Sequence, residues 1–212
     1  MALDLDGVLA ALARKRPVFH SEADFQHALA WQIQLAHPDA AIRLHTRPVR
    51  RVRLDLLVVL DGRRTAIELK YLPGTFTGSV LGESFEFTNG EARDQARHDV
   101  IKDVARIEGF LAAGYADEGW ALALAGDRNY WLPGRVDTID VAFHLTEGRV
   151  LQGEMRWAEH AGAGSTNGRD VPLALRGTYE CRWRDYSTVR GERGGETVFR
   201  CLALPVVSPG AG

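Results

Sequence analysis

Two apolar runs, LDLLVVL (54–60) and TAIELKYL (65–72), separated by Asp61-Gly62-Arg63-Arg64, constrain this chain more than any other feature. An Asp-Gly step between apolar segments favours a tight hairpin, so the runs predict adjacent antiparallel strands. Leu56 to Leu60 are apolar without alternation, the pattern of a strand covered on both faces. Along the second strand, alternation sends Glu68 and Lys70 to one face and Ile67, Leu69 and Tyr71 to the other. Asp55 heads the first strand, where a carboxylate needs a partner, a metal or a strand end.

Glu-x-Lys on a strand is a cheap spacing. Glu-x-Arg recurs at Glu91/Arg93, Glu147/Arg149, Glu154/Arg156 and Glu180/Arg182 with no chemistry attached to it. Context carries the weight instead. Mg²⁺ prefers oxygen ligands and usually takes one or two carboxylates plus water and phosphate oxygens, and Asp55 with Glu68 would supply such a pair. Lys70 could then orient an attacking water or stabilise charge on a phosphate. A third acid lies upstream. Ser21 reads as a helix cap, and Phe25, Leu29, Ile33 and Ala36 recur at helical spacing before Pro38. Glu22 falls on the first turn, with Gln26 one turn later on nearly the same face; a simple dipole complement also explains Glu22.

The order of a helix-borne Glu22, then Asp55, then Glu68-Leu69-Lys70 on adjacent strands resembles the PD-(D/E)XK, or restriction-endonuclease-like, nuclease superfamily. The resemblance covers about residues 21–124, half of the chain. It implies an α/β fold with a central mixed β-sheet flanked by helices, and a nuclease that hydrolyses phosphodiester bonds with Mg²⁺ or Mn²⁺. DNA is the expected substrate, and the products would carry 5′-phosphates. Asp55 and Glu68 match the metal-binding acids and Lys70 the motif lysine that positions or activates the water. Glu22 matches the accessory acid that completes the metal shell directly or through water. Leu54 stands where the motif name has proline. Gln95, which opens the helical segment Asp94 to Leu111, matches a polar residue that many members aim at the site. Asp99 stands where some exonuclease-like members have tyrosine, so that branch is not indicated.

With 212 residues, 45% of them hydrophobic, the chain suits one domain. Residues 1–212 read as a nuclease-like core over about 17–135 and a β-rich elaboration over about 136–206. Within the core, Gly119 to Ala125 reads as a buried strand, and Leu81, Glu83, Phe85 and Phe87 alternate as a short strand or flap within the long connection before Asp94. The elaboration is expected to hold strands at Val141–Leu145, Leu151–Trp157, Pro172–Leu175, Thr178–Trp183 and Thr197–Leu204. Leu3, Leu5, Val8, Leu9 and Leu12 suggest a short amphipathic helix; acids before it and basic residues after it reverse the order of a secretory signal. No run is long enough to span a membrane, and a cytoplasmic location is the expectation. Cys181 and Cys201 lack zinc-site spacing and are expected to be buried and reduced. The histidines are scattered, with His98 on the Gln95 helix.

A net charge of −2 does not announce a nucleic-acid binder, but its distribution says more. Arg43, Arg47, Arg50, Arg51 and Arg53 run without an acid before Asp55, and Arg63 and Arg64 occupy the hairpin loop. Arg51, Arg53, Arg63 and Arg64 are therefore candidate phosphate contacts, although charge that protects a strand edge explains them equally well. Arg93, Arg97, Lys102 and Arg106 are interleaved with Asp94, Asp99, Asp103 and Glu108, which reads as ion pairs on a solvated helix face. Trp157, Tyr179, Trp183 and Tyr186 suit a core better than a base-stacking surface. Two alternatives stay open: a nucleic-acid-binding module that has lost catalysis, and a protein-interaction module of the same fold. A homodimer is compatible with either.

Overall fold

The computed structural model describes residues 3–50, 52–88 and 92–207. Helix α1 (Leu5–Lys15) buries Leu5, Val8, Leu9 and Leu12 along one face, as their spacing predicts. Helix α2 (Glu22–Ala36) begins at Ser21, whose side chain accepts from Asp24 N. Strands β1 (Ala41–Val49), β2 (Val52–Leu60) and β3 (Arg63–Leu72) follow. The expected hairpin joins β2 and β3, but its turn is only Asp61 and Gly62, with φ of 50° and 77°, and Arg63 and Arg64 belong to β3 and not to the loop. Both values lie in the left-handed region, which suits a type I′ turn and the right-handed twist of the strands it joins. A second hairpin, β4 (Phe76–Val80) and β5 (Glu83–Phe87), precedes helix α3 (Arg93–Ala112) and strand β6 (Glu118–Ala125). Beyond two 3₁₀ turns come β7 (Val150–Met155), the single-turn helix α4 (Ala163–Thr166), β8 (Leu173–Glu180), β9 (Trp183–Arg190) and β10 (Glu196–Val207).

Six strands form one mixed sheet in the order β1-β2-β3-β6-β10-β9, with β3 and β6 parallel and the other neighbours antiparallel. Helices cover both faces, which is the coarse class expected. On one face α1 and α2 pack with Leu56, Val58, Ile67, Leu69, Leu122 and Leu124; on the other, α3 packs with Ala66, Ala121, Ala123 and Leu202. Small residues let α3 approach closely. A Cβ on Gly119 would stand 2.3 Å from Ile107 Cγ2 and 2.8 Å from the Ala66 carbonyl.

The β-rich half is organised differently from the expectation. β9 and β10 are not an elaboration: β10 pairs with β6 from Arg200↔Ala125 to Val207↔Glu118 and so completes the central sheet. Only β7 and β8 stand apart, as a hairpin whose Leu151, Leu175 and Tyr179 pack into the core shared with α3. Alternation marks which faces of a strand are buried, but it does not say which strand lies beside it. Val141–Leu145 is not a strand either. Val141–Phe143 forms a 3₁₀ turn that buries Phe143, and Leu145 is buried just beyond it. Likewise Thr178–Trp183 is broken at Cys181-Arg182, between the end of β8 and the start of β9.

Since α3 lies between the sheet and the β7–β8 hairpin, only some of its charges, Arg93 and Lys102 among them, are on a solvated face. Arg97, Asp103 and Glu108 are buried. Segments distant in sequence partner each of them, although Arg97 Nε and Asp103 Oδ2 are left without a hydrogen bond. Arg97 bonds Asp140 (2.6 Å) and the Asn129 carbonyl (2.7 Å), while Glu108 accepts from Arg176 N, Gly177 N and the Tyr179 hydroxyl. Cys181 and Cys201 are buried free thiols. Among the described residues no helix is long and apolar enough to cross a membrane.

The packing of α3 can be checked with two glycines. Gly119→Ala is expected to lower Tm by several degrees, an overpacking cost of about 1–3 kcal/mol. In contrast, Gly109→Ala, whose Cβ would meet nothing within 4 Å, should leave Tm unchanged or raise it slightly, since alanine favours a helix by about 0.5–1 kcal/mol. Thermal melts followed by circular dichroism measure both; equal Tm values for the two variants would contradict this packing.

Candidate active site

The hydrogen-bond ladder between β2 and β3 runs from Leu60↔Arg63 to Leu56↔Ile67 and stops one pair short of Asp55 and Glu68. Side chains take over where the ladder ends. Asp55 Oδ2 accepts from Leu69 N at 3.1 Å, and Glu22 Oε2, at the start of α2, accepts from Tyr71 N at 3.3 Å. Two successive outward-pointing amides of β3 are thus served by carboxylates instead of a strand, which settles backbone donors that burial would otherwise leave unpaired. Gln26, buried on α2, donates to the Asp55 carbonyl at 2.7 Å and fixes the head of β2.

Glu68 and Lys70 lie on the α3 side of β3, while Ile67, Leu69 and Tyr71 enter the opposite core, as alternation requires. There they meet two residues whose role was not legible in the sequence. Lys70 Nζ lies 3.1 Å from Asp103 Oδ2 and 3.8 Å from Glu22 Oε1. Arg106 pairs with Glu68 Oε1 (2.9 Å) and with Asp103 Oδ1 (3.0 Å), and also donates to the Arg53 carbonyl. Asp103 and Arg106 are three apart on α3, a spacing that puts both on one helix face. The only sequence signal for them was an acid and a base at that spacing, which occurs on many solvated helices.

Four carboxyl groups (Glu22, Asp55, Glu68 and Asp103) therefore face two cations (Lys70 and Arg106). Burial, followed by the neighbouring charges of Asp103 and Asp55, raises the Glu68 carboxyl to about 10 against the pull of Arg106, and Asp55 lies within hydrogen-bonding reach of it. Burial also raises Asp103, although Lys70 and Arg106 oppose the shift. Burial raises Glu22 as well, with Lys70 working in the other direction. Burial disfavours the Lys70 ammonium, but Asp103, Glu22 and Asp55 outweigh it and hold the group charged above the ordinary lysine range. Such an excess of acid is relieved by a proton or by a cation.

The donor set suits a hard divalent ion. Glu68 Oε1 and Asp103 Oδ2 are sealed from solvent, and their ion pairs with Arg106 and Lys70 lack hydrogen-bond geometry. Among the described residues no group of three His, Cys, Asp or Glu side chains is arranged to enclose a metal. Mg²⁺ does not need such a cage, because water and phosphate commonly complete its shell. The Asp55–Glu68 pair is the part of the cluster that fits it.

A cleft of about 360 Å³ opens on the Glu22 and Lys70 side of this cluster and is lined also by Gln95, Asp99 and Arg169; Asp55, Glu68 and Asp103 lie outside its lining. Gln95 is thus brought to the site, but its Nε2 is committed to the Gly164 carbonyl at 2.7 Å. The predicted flap, β4–β5, is pinned to the α2 entry by His20, which stacks on Phe85 and bonds Glu83. Arg63 and Arg64 are not brought to the cluster. They sit at the far end of β3, seven residues or roughly 23 Å of strand from Lys70, and pair with Glu118 and Asp117. Arg53 keeps an exposed side chain two residues from Asp55, and Arg51 lies outside the described residues. A larger recess of about 460 Å³ beside Arg93, Arg128 and Trp131 is also lined by two acids, Asp127 and Glu196, but by none of Glu22, Asp55, Glu68 and Lys70.

Comparison with family models, with curated proteins and with solved structures returned no match.

A raised carboxyl makes stability depend on pH. Below about pH 4.5 Glu68 is protonated whether the chain is folded or not; between about 4.5 and 10 the unfolded chain releases a proton that the folded one retains. Its contribution to stability accordingly falls as pH rises through this window. Glu68→Gln, neutral throughout, should melt close to wild type near pH 4 and above it at pH 8, by roughly 5 °C or more in chelator. A Tm difference that stays flat from pH 4 to 9 would contradict the buried, protonated carboxyl.

Proposed function

We propose that the chain is a metal-dependent nuclease of the PD-(D/E)XK type that hydrolyses phosphodiester bonds in DNA. The observation that carries this reading is the convergence of Asp55, Glu68, Lys70 and Glu22 at the place where the β2–β3 ladder gives way. In this reading Asp55 and Glu68 hold Mg²⁺ or Mn²⁺, with Glu22 close enough to join through water. Bound there, the ion would supply charge neutralisation at a phosphate oxygen and a more acidic water.

Lys70 is a hydrogen-bond donor rather than a base, because the acids around it hold it charged. It would orient the attacking water and stabilise negative charge as it builds on the phosphate oxygens. Glu22, the most exposed acid of the cluster and raised toward neutrality, is suited to take the proton that the water loses. The water oxygen bonds to phosphorus, the bond to the 3′-oxygen breaks, and that oxygen takes a proton from solvent. A 5′-phosphate and a 3′-hydroxyl result. Asp103 and Arg106 act through Lys70 and Glu68 as positioning residues.

A second reading, a nucleic-acid-binding module without catalysis, is favoured by the Arg106 ion pair on Glu68, which opposes a metal there. One assay separates the two. Plasmid, linear duplex, single-stranded DNA and RNA are incubated with the protein and Mg²⁺ or Mn²⁺, beside Asp55→Asn, Glu68→Gln and Lys70→Met. The nuclease reading expects DNA cleavage by wild type and a loss of at least about 100-fold in each folded variant. Salt-sensitive DNA binding with no cleavage would leave the module reading standing; wild type and variants alike on every substrate would remove the catalytic assignment.

A further inference from the structure

Residues 157–169 form a strap over the first turns of α3, and the end of that strap enters the cleft that holds Lys70. Arg169 lies there with its side chain about one quarter exposed. Its guanidinium is gripped on one edge: Nε donates to Asp99 Oδ1 at 3.0 Å and Nη2 to Asp99 Oδ2 at 2.7 Å. Nη1 has no partner among the described residues. Asp99 is held in turn by His98 Nδ1 at 3.1 Å, and the His98 ring stacks on Trp157 and meets Phe143 edge-on. Trp157 Nε1 closes the array by donating to the Arg169 carbonyl at 2.9 Å.

The strap does not need this guanidinium to stay attached. Gln95 already holds the Gly164 carbonyl, and the Ser165 hydroxyl donates to Asp94 Oδ2 at 2.5 Å. A planar fork fixed along one edge, with its remaining donors free in a cleft, is an arrangement that recognises a phosphate oxygen. We propose that Arg169 binds a phosphate of the substrate strand beside the one at Lys70, with Asp99 as its positioning residue. This rests on the nuclease reading above and deepens it. Arg169 and Lys70 line one cleft, so on this proposal the strand runs between them and the end of the strap becomes part of the substrate path.

The test is steady-state cleavage of a short fluorescein-labelled DNA duplex with Mg²⁺ over a salt series, comparing wild type, Arg169→Gln and Arg169→Lys. Arg169→Gln is expected to raise KM about tenfold with kcat within about twofold, as for the loss of one charge-assisted contact made equally in ground and transition states. The slope of log kcat/KM against log salt should fall by about 1. Arg169→Lys retains the charge without the fork and should recover part of the KM, and it carries the test if the glutamine variant does not fold. KM and salt slope equal to wild type in a folded variant of an active enzyme would overturn the role of Arg169 alone. Absence of cleavage by wild type would instead overturn the nuclease reading, and this inference with it.

Discussion

The bond from Leu69 N to the Asp55 carboxylate is the interaction on which the rest of the site depends. It closes a gap that the sheet itself leaves open, since β2 pairs with β3 only as far as Leu56 and Ile67. With the Glu22 carboxylate serving Tyr71 N two residues on, the edge of β3 is completed by acids rather than by backbone. An ordinary ladder at this place would have removed the reason for Glu22 and Asp55 to approach Glu68. The same acids that satisfy the strand therefore concentrate negative charge beside Lys70, and structural need and proposed chemistry share one set of atoms.

That concentration is tolerated because α3 supplies counter-charge from the other side. Asp103 forms ion pairs with both Lys70 and Arg106, and Arg106 in turn faces Glu68. Breaking one member of such a buried network costs more than any single exposed pair would suggest, because its partner is left charged and unpaired. The helix carries further polar residues with equally specific partners: Asp99 pairs with Arg169, Gln95 and Asp94 hold the strap, Arg97 holds Asp140, and Glu108 holds the backbone of β8. α3 is consequently the member through which the C-terminal half is coupled to the site, and its buried polar residues are placed by contacts with both the sheet and the C-terminal half.

Much of the local structure was legible in the residues. The Asp61-Gly62 hairpin, the Ser21-capped helix, the α1 stripe and the alternation that puts Glu68 and Lys70 on one face all follow from short-range rules, because turn dihedrals, caps and side-chain periodicity are decided within a few residues. Two classes of error have one origin. The charges of α3 looked like a solvated face, and β9–β10 looked like part of an appendage, since neither burial of a helix on both sides nor the neighbour of a strand is written in periodicity. Arg63 and Arg64 were drawn toward the site by sequence proximity, yet a ten-residue strand carries them to the opposite end of the sheet.

The sequence by itself determined the first three helices, the β2–β3 hairpin and β6, that the chain has a core to bury, and which acids and lysine could serve one site. Tertiary structure alone decided that these side chains meet, that Asp103 and Arg106 join them, and that Arg169 shares their cleft. The physical reason is range. Propensity and alternation act over a turn or a pleat, whereas the cluster draws on residues from 22 to 106 and its cleft on residues as far as 169, and only the packing of α2 and α3 against opposite faces of β3 brings those residues within a few ångströms.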